Sequence, residues 1–330
     1  MGSRHARIRQ AALVLGLTMG LFAATAAGHL TETAHAGPAR AQPAVTAAVT
    51  NEPAAICVSA TRQHRALAAR MSRGIAAALD RRASVVGLAA ADSRTGITCK
   101  LHAGWHFHSA SIVKVIILGA LLHELKTGHR DLTAKQVALT KAMITKSSNS
   151  AATSLWDEVG RRNLQRFLDL AKMTHTTLGR SGFWGLTLVT AADELRLLKL
   201  LKSKNSVLDK PSRAYALTLM AHVLPAQRWG VPAGAPAAVT VHVKNGWLPD
   251  PVRWVINSIG VFTSHDRNYR IAILTRDNRT MAYGVDTIQA AAEVINRDLH
   301  PGVTAVIAPS APFPSWGTPD EQIPAAARRS

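Results

Sequence analysis

Acidic residues are scarce in this chain: 20 Asp and Glu stand against 39 Lys and Arg over 330 residues, a formal charge of +19. Cysteine is scarcer still, with only Cys57 and Cys99, so at most one intramolecular bridge can form. No internal repeat is visible. No nucleic-acid recognition motif and no interleaving of basic with aromatic residues accompanies the charge, so no nucleic-acid partner is expected. The histidines His102, His106 and His108 lack an acidic partner at His-x-His-x-Asp spacing, because Ala110 holds that place. No metal site and no cofactor is expected.

The ends differ from the middle. Arg4, Arg7 and Arg9 precede an apolar run from Ala11 to Ala27, and Ala34-His35-Ala36 fits a small-x-small cleavage site. Residues 1–36 are expected to be a cleaved signal peptide and the protein to be secreted. No cysteine lies near the cleavage site, which argues against a lipid anchor. Removing these residues leaves a charge of +17. Such a surface attracts polyanions, and for an exported protein anionic cell-wall polymers are the natural candidates. A solubilising surface charge explains the excess equally well. Export also permits a Cys57–Cys99 disulfide. Residues 37–60 are expected to be a linker, 61–305 one domain, and 306–330 a Pro-rich disordered tail, since the last thirty residues hold six of the fifteen prolines.

Within the domain, Leu67, Met71, Ile75 and Leu79 mark a helix over 62–81. Strands are expected over 84–91 and 97–102, joined by the turn Asp92-Ser-Arg-Thr-Gly96. An apolar helix over 111–126 closes at Gly128. Helical segments follow to about residue 202 and again over 206–222. Three strands (239–244, 253–263, 269–275) and a helix over 282–299 complete the order.

Three short motifs fall at boundaries of these elements. Ser111-Ile-Val-Lys114 is the only Ser-x-x-Lys in the chain and opens the apolar helix. Residues three apart on a helix share a face, so an amine stands within reach of a hydroxyl near the positive end of the helix dipole. A serine hydroxyl needs such a base to become a nucleophile. Ser147-Ser148-Asn149 opens a later helical run, and Lys244-Asn245-Gly246 ends a strand. In this order they resemble the S-x-x-K, S-x-N and K-T-G signatures of the serine β-lactamase and penicillin-binding superfamily, most closely its class A β-lactamase-like branch. Ser148 and Asn245 depart from the usual aspartate and threonine.

The resemblance implies an α+β, β-lactamase/transpeptidase-like fold: a five-stranded antiparallel sheet with flanking helices, plus an all-helical lobe. It implies that Ser111 is acylated, that Lys114 is its base, and that Ser147 relays a proton between Lys244, Lys114 and the leaving group. Lys114 can accept a proton only when neutral, a form that burial and the neighbouring charge of Lys244 favour. Asn149 would bind the substrate's amide side chain, and Lys244, with Asn245, its carboxylate end. Gly246 would let substrate backbone approach the strand. The backbone N–H groups of Ser111 and Trp247 would form the oxyanion hole. The implied substrate is a β-lactam or a peptidoglycan-like amide, and a monomer is expected. Alternatives on the same scaffold are a D-alanyl-D-alanine carboxypeptidase, penicillin-binding protein or esterase, and a non-enzymatic cell-wall-binding protein. One departure bears on turnover. Class A enzymes carry a glutamate after the helical lobe that activates the deacylating water, whereas residues 170–192 here contain no Asp or Glu.

Overall fold

The computed structural model describes residues 55–180, 182–249 and 253–303. The expected signal peptide, most of the linker and the whole of the tail lie outside the described residues. Among those described, no helix is long and apolar enough to cross a membrane.

The chain folds in the expected order. After β1 (Cys57–Ser59) come α1 (Arg65–Leu79), β2 (Val85–Asp92) and β3 (Ile97–Leu101). A two-residue strand, β4 (Phe107–His108), leads into α2 (Val113–Thr127), α3 (Ala134–Thr145) and α4 (Asn149–Leu170). Then follow β5 (Leu188–Val189), α5 (Ala191–Lys202) and α6 (Lys210–Ala221). Strands β6 (Thr240–Pro249), β7 (Trp254–Thr263) and β8 (Asn268–Asn278) precede α7 (Met281–Leu299).

The main sheet is antiparallel in the order β1-β3-β2-β8-β7-β6, so both ends of the chain build it. It has six strands, one more than expected. The extra strand is β1, inside the stretch assigned to the linker. Three residues carry too little periodicity to be recognised, and pairing with β3 defines them. Cys57 stands opposite Cys99 in that register, and the two form the expected disulfide.

Successive strand residues face opposite sides of a sheet. On β7, Ile256 faces α7, where a Cβ on Gly284 would run into it, while Asn257 faces the segment before α2. The sheet is therefore covered by α1 and α7 on one side and by the Ser111 segment on the other. Helix α2 is buried on every side over residues 113–122, and Lys114 is buried there among its neighbours Val113, Val115 and Ile116. A helix without a polar face belongs in a core. Gly119 allows the Phe167 ring of α4 to lie directly on α2.

Two expected boundaries shift in ways that matter for the site. Helix α2 begins at Val113, preceded by a 3-10 turn over Ala110–Ile112, so Ser111 lies in the tighter turn. Strand β6 runs on to Pro249, so Lys244 sits in mid-strand. The polar Lys-Asn-Gly looked like an ending, yet residues 244–249 keep pairing with β7.

Candidate active site

Ser111, Lys114, Ser147, Asn149 and Lys244 converge. Lys114 Nζ donates to Ser111 Oγ at 2.9 Å, to the Ser147 carbonyl at 2.8 Å, to Ser147 Oγ at 3.3 Å and to Asn149 Oδ1 at 2.6 Å. Lys244 Nζ donates to the same Ser147 Oγ at 3.0 Å and to the Asn245 carbonyl at 2.7 Å. Both lysines are fully buried, while Ser111 and Ser147 keep 6% and 9% of their surface. Two buried amines are tolerated here because oxygen acceptors surround them.

Local backbone conformation aims these groups. Ala110, just before the nucleophile candidate, has φ +46°, and Ser147 has φ +57°. Left-handed conformations cost non-glycine residues energy and persist where surrounding structure holds them, often at functional sites. Ser148 caps α4 by accepting from the Ala151 N–H, which leaves Ser147 outside the helix and turned toward the lysines. The predicted Ser-x-x-Lys contact thus forms, across a 3-10 turn running into a helix.

The third motif works differently from expectation in two places. A Cβ on Gly246 would lie 2.8 Å from both the Ser109 carbonyl and the Ser111 nitrogen. What approaches this glycine closely is therefore the chain's own backbone at the nucleophile turn. The Asn245 side chain is buried on the other side of β6, where its Nδ2 donates to the carbonyls of Gln227 (2.7 Å) and Trp229 (2.9 Å). It clamps a loop; its side chain is turned away from the serines. Trp247 follows on the strand, half-buried, with its ring tilted against Trp229 at 6.0 Å.

Two residues escaped the sequence reading. Asn257 donates from Nδ2 to the carbonyls of His108 (2.8 Å) and Ser109 (3.0 Å), pinning the backbone that presents Ser111. Its only signal was a polar residue within the apolar run Val-Ile-Asn-Ser-Ile. Trp184, in the acid-free loop after α4, places its ring under Lys114, with Nζ 4.7 Å from the ring centroid. Its Nε1 donates to Thr153 Oγ1 of α4 at 3.1 Å, and it is 3% exposed. Cation–π contacts at this distance are favourable.

The loop is braced by other means than a carboxylate of its own. Asp193 of α5 accepts from the His175 N–H and from Thr176 Oγ1, both at 2.9 Å, and pairs with Arg196. His175 itself is exposed, with its ring against Thr174. The next residue, Glu194, is fully buried, and both its carboxylate oxygens lack a hydrogen-bond partner among the described residues. Burial, with the adjacent Asp193 charge, raises its pKa well above the ordinary carboxylate value. The three histidines before Ser111 point to separate backbone carbonyls: His102 to Val86, His106 to His175 and His108 to Leu186.

Comparison with known proteins bears on the fold and on part of the sequence. Residues 136–299 match the model of the beta-lactamase enzyme family. That span holds Ser147 and Lys244; Ser111 and Lys114 precede it. A class A beta-lactamase from Bacteroides cellulosilyticus is similar in structure, with a TM-score of 0.63 at 18% identity over 70% of this chain and 97% of that one. TLA-3 extended-spectrum beta-lactamase gives 0.63 at 16% identity over 69% and 98%. PBP-A gives 0.61 at 17% identity over 69% and 95%. At such identities the likeness establishes the fold. Among curated protein sequences none matches. Residues 136–299 thus match the beta-lactamase enzyme family, and the chain has the fold of these β-lactamases and of PBP-A.

Proposed function

We propose that this protein is an exported serine hydrolase that forms an acyl-enzyme at Ser111 with a β-lactam or a related amide. The observation that carries this is the meeting of two buried lysine amines at one hydroxyl, Ser147 Oγ, beside Ser111. In the resting geometry Lys114 donates to Ser111. Once Lys114 is neutral, its Nζ takes the Ser111 proton as Oγ attacks the carbonyl carbon. The new C–O bond forms, the C–N bond breaks, and the leaving nitrogen takes a proton from Ser147 Oγ. Lys114 or Lys244 returns that proton to Ser147. Lys244, in mid-strand behind Ser147, also supplies positive charge for a substrate carboxylate. The Ser111 and Trp247 backbone N–H groups serve as oxyanion donors, an arrangement whose loss costs ~10²–10³ in rate.

A second reading draws support from one further observation. The loop after α4 sets an indole, and no carboxylate of its own, against Lys114. Water that would release the acyl group then lacks the usual base, which favours a penicillin-binding protein, D-alanyl-D-alanine carboxypeptidase or esterase over a fast β-lactamase. One of the similar solved structures is a PBP-A variant described as an acyl-enzyme complex with penicillin G.

The test is to incubate the protein, and Ser111→Ala beside it, with a fluorescent penicillin and a chromogenic cephalosporin. Stable Ser111-dependent labelling with slow turnover is the expected result. Fast turnover would assign a β-lactamase with another route to deacylation. Absence of both signals would overturn the β-lactam proposal and favour a wall-binding protein on this scaffold.

A further inference from the structure

A second cleft opens at the end of the sheet where β7 begins and β8 ends. Its volume is about 270 Å³, and its polar lining is His106, His108, Arg253, Arg276 and Asp277. None of the serines and lysines of the catalytic cluster lines it. Ala110, next to Ser111, and Val255, in the cleft wall, belong to one small apolar cluster with Leu248, on which Leu186 packs.

The lining chemistry is one-sided. Two guanidinium groups and two imidazoles face a single carboxylate. That carboxylate is engaged: Asp277 Oδ2 lies 3.6 Å from Arg276 Nη1. The Arg276 guanidinium also lies over the Phe107 ring, 5.7 Å from its centroid. It is thereby held in place. Both imidazoles are fixed by backbone carbonyls, His106 by His175 and His108 by Leu186. A rigid arginine fork beside a second arginine is the arrangement that recognises tetrahedral oxyanions. The excess positive charge of the chain steers anions toward such a site.

We infer that this cleft binds a phosphate-type oxyanion, either free or carried on an anionic polymer. The site does not depend on the acylation chemistry at Ser111. Isothermal titration of the purified protein with inorganic phosphate, and separately with poly(glycerol phosphate), tests it. Saturable binding is expected for both if a polymer is the source, and for phosphate alone if the ligand is a small anion. Arg253→Ala should weaken binding roughly tenfold or more, the size of one lost charge-assisted hydrogen bond. Arg253 is exposed and precedes β7, so its replacement leaves the core intact. Arg276→Gln should weaken binding at least as much, and Arg162→Ala with Arg166→Ala on the exposed face of α4 should leave it unchanged. The inference is overturned if neither ligand saturates. It is equally overturned if the α4 variant loses as much affinity as Arg253→Ala, because the binding would then be diffuse charge attraction.

Discussion

The two walls around Lys114 are built from opposite materials. On one side the α3–α4 junction offers the Ser147 carbonyl, Ser147 Oγ and Asn149 Oδ1, all within 3.3 Å of the amine. On the other side the loop after α4 offers the face of Trp184. The first wall is a set of lone pairs that can pass a proton. The second is a hydrocarbon surface that attracts the cation but can neither donate to nor accept from water. On the proposed acyl-enzyme reading, a site with one wall of each kind suits the acylation of Ser111. The step in which a water must be activated has no corresponding group on the loop. The same contrast extends into α5, where Asp193 braces the loop and the buried Glu194 has no hydrogen-bond partner among the described residues.

The strongest way to break the comparison is to disable the polar wall's client. Lys114→Ala should slow labelling of Ser111 by ~10²–10⁴, the usual range for a general base, measured as the rate of fluorescent penicillin attachment. Labelling at the normal rate would remove Lys114 from the base role.

Next comes the apolar wall. Trp184→Glu puts a carboxylate where the indole stands and should shorten the lifetime of the acyl-enzyme by roughly tenfold or more, with a smaller change in its formation. Intact-protein mass spectrometry after removal of free penicillin follows the decay. Trp184→Phe keeps an apolar wall and should preserve the long lifetime, which separates a change of chemistry from a disturbed core. An unaltered lifetime in the glutamate variant would show that the loop does not control release.

Gly246→Ala probes how the walls are held in register. Its methyl would press on the Ser109 carbonyl and Ser111 nitrogen, both backbone atoms, so the nucleophile turn must move. Overpacking of this kind costs about 1–3 kcal/mol, or a few degrees in Tm, and the labelling rate should fall with it. A variant with unchanged Tm and labelling would mean that β6 and the turn are not in firm contact.

The smallest effect concerns Glu194. Its folded-state pKa is raised, so its proton is held more tightly in the folded chain than in the unfolded one. Folding stability from this group is complete below the ordinary carboxylate pKa and declines as pH rises above it. Glu194→Gln removes that decline. The variant's Tm should therefore exceed the parent's by an amount that grows from pH 4 to pH 8. A constant offset would indicate that the carboxylate is not buried in neutral form.

Much of this was legible before any coordinates. The order of helices and strands followed from apolar periodicity, because α2 and the sheet strands are long and uninterrupted. Ser111 and Lys114 were legible as a pair because their contact is local, three residues along one turn. Ser147 and Lys244 could be named only through a resemblance, since 97 residues separate them and nothing in their neighbourhoods encodes the meeting at one hydroxyl. Strand β1 was too short to show a period. Trp184 was an aromatic residue in a glycine-flanked loop, and whether its ring lies in solvent or against an ammonium depends on how α4 and that loop close together.

Asn245 and Gly246 show most plainly where sequence and structure divide the work. The sequence by itself determined that a lysine, an amide and a glycine would occupy consecutive places on a strand, and alternation alone requires the first two to face opposite ways. Which side each would face was decided when β6 paired with β7 and Asn257 fastened the turn before Ser111. Local spacing is written into covalent geometry and needs no partner. The burial of two lysines beside one serine needs acceptors drawn from three distant segments, and only the closed tertiary structure brings those together.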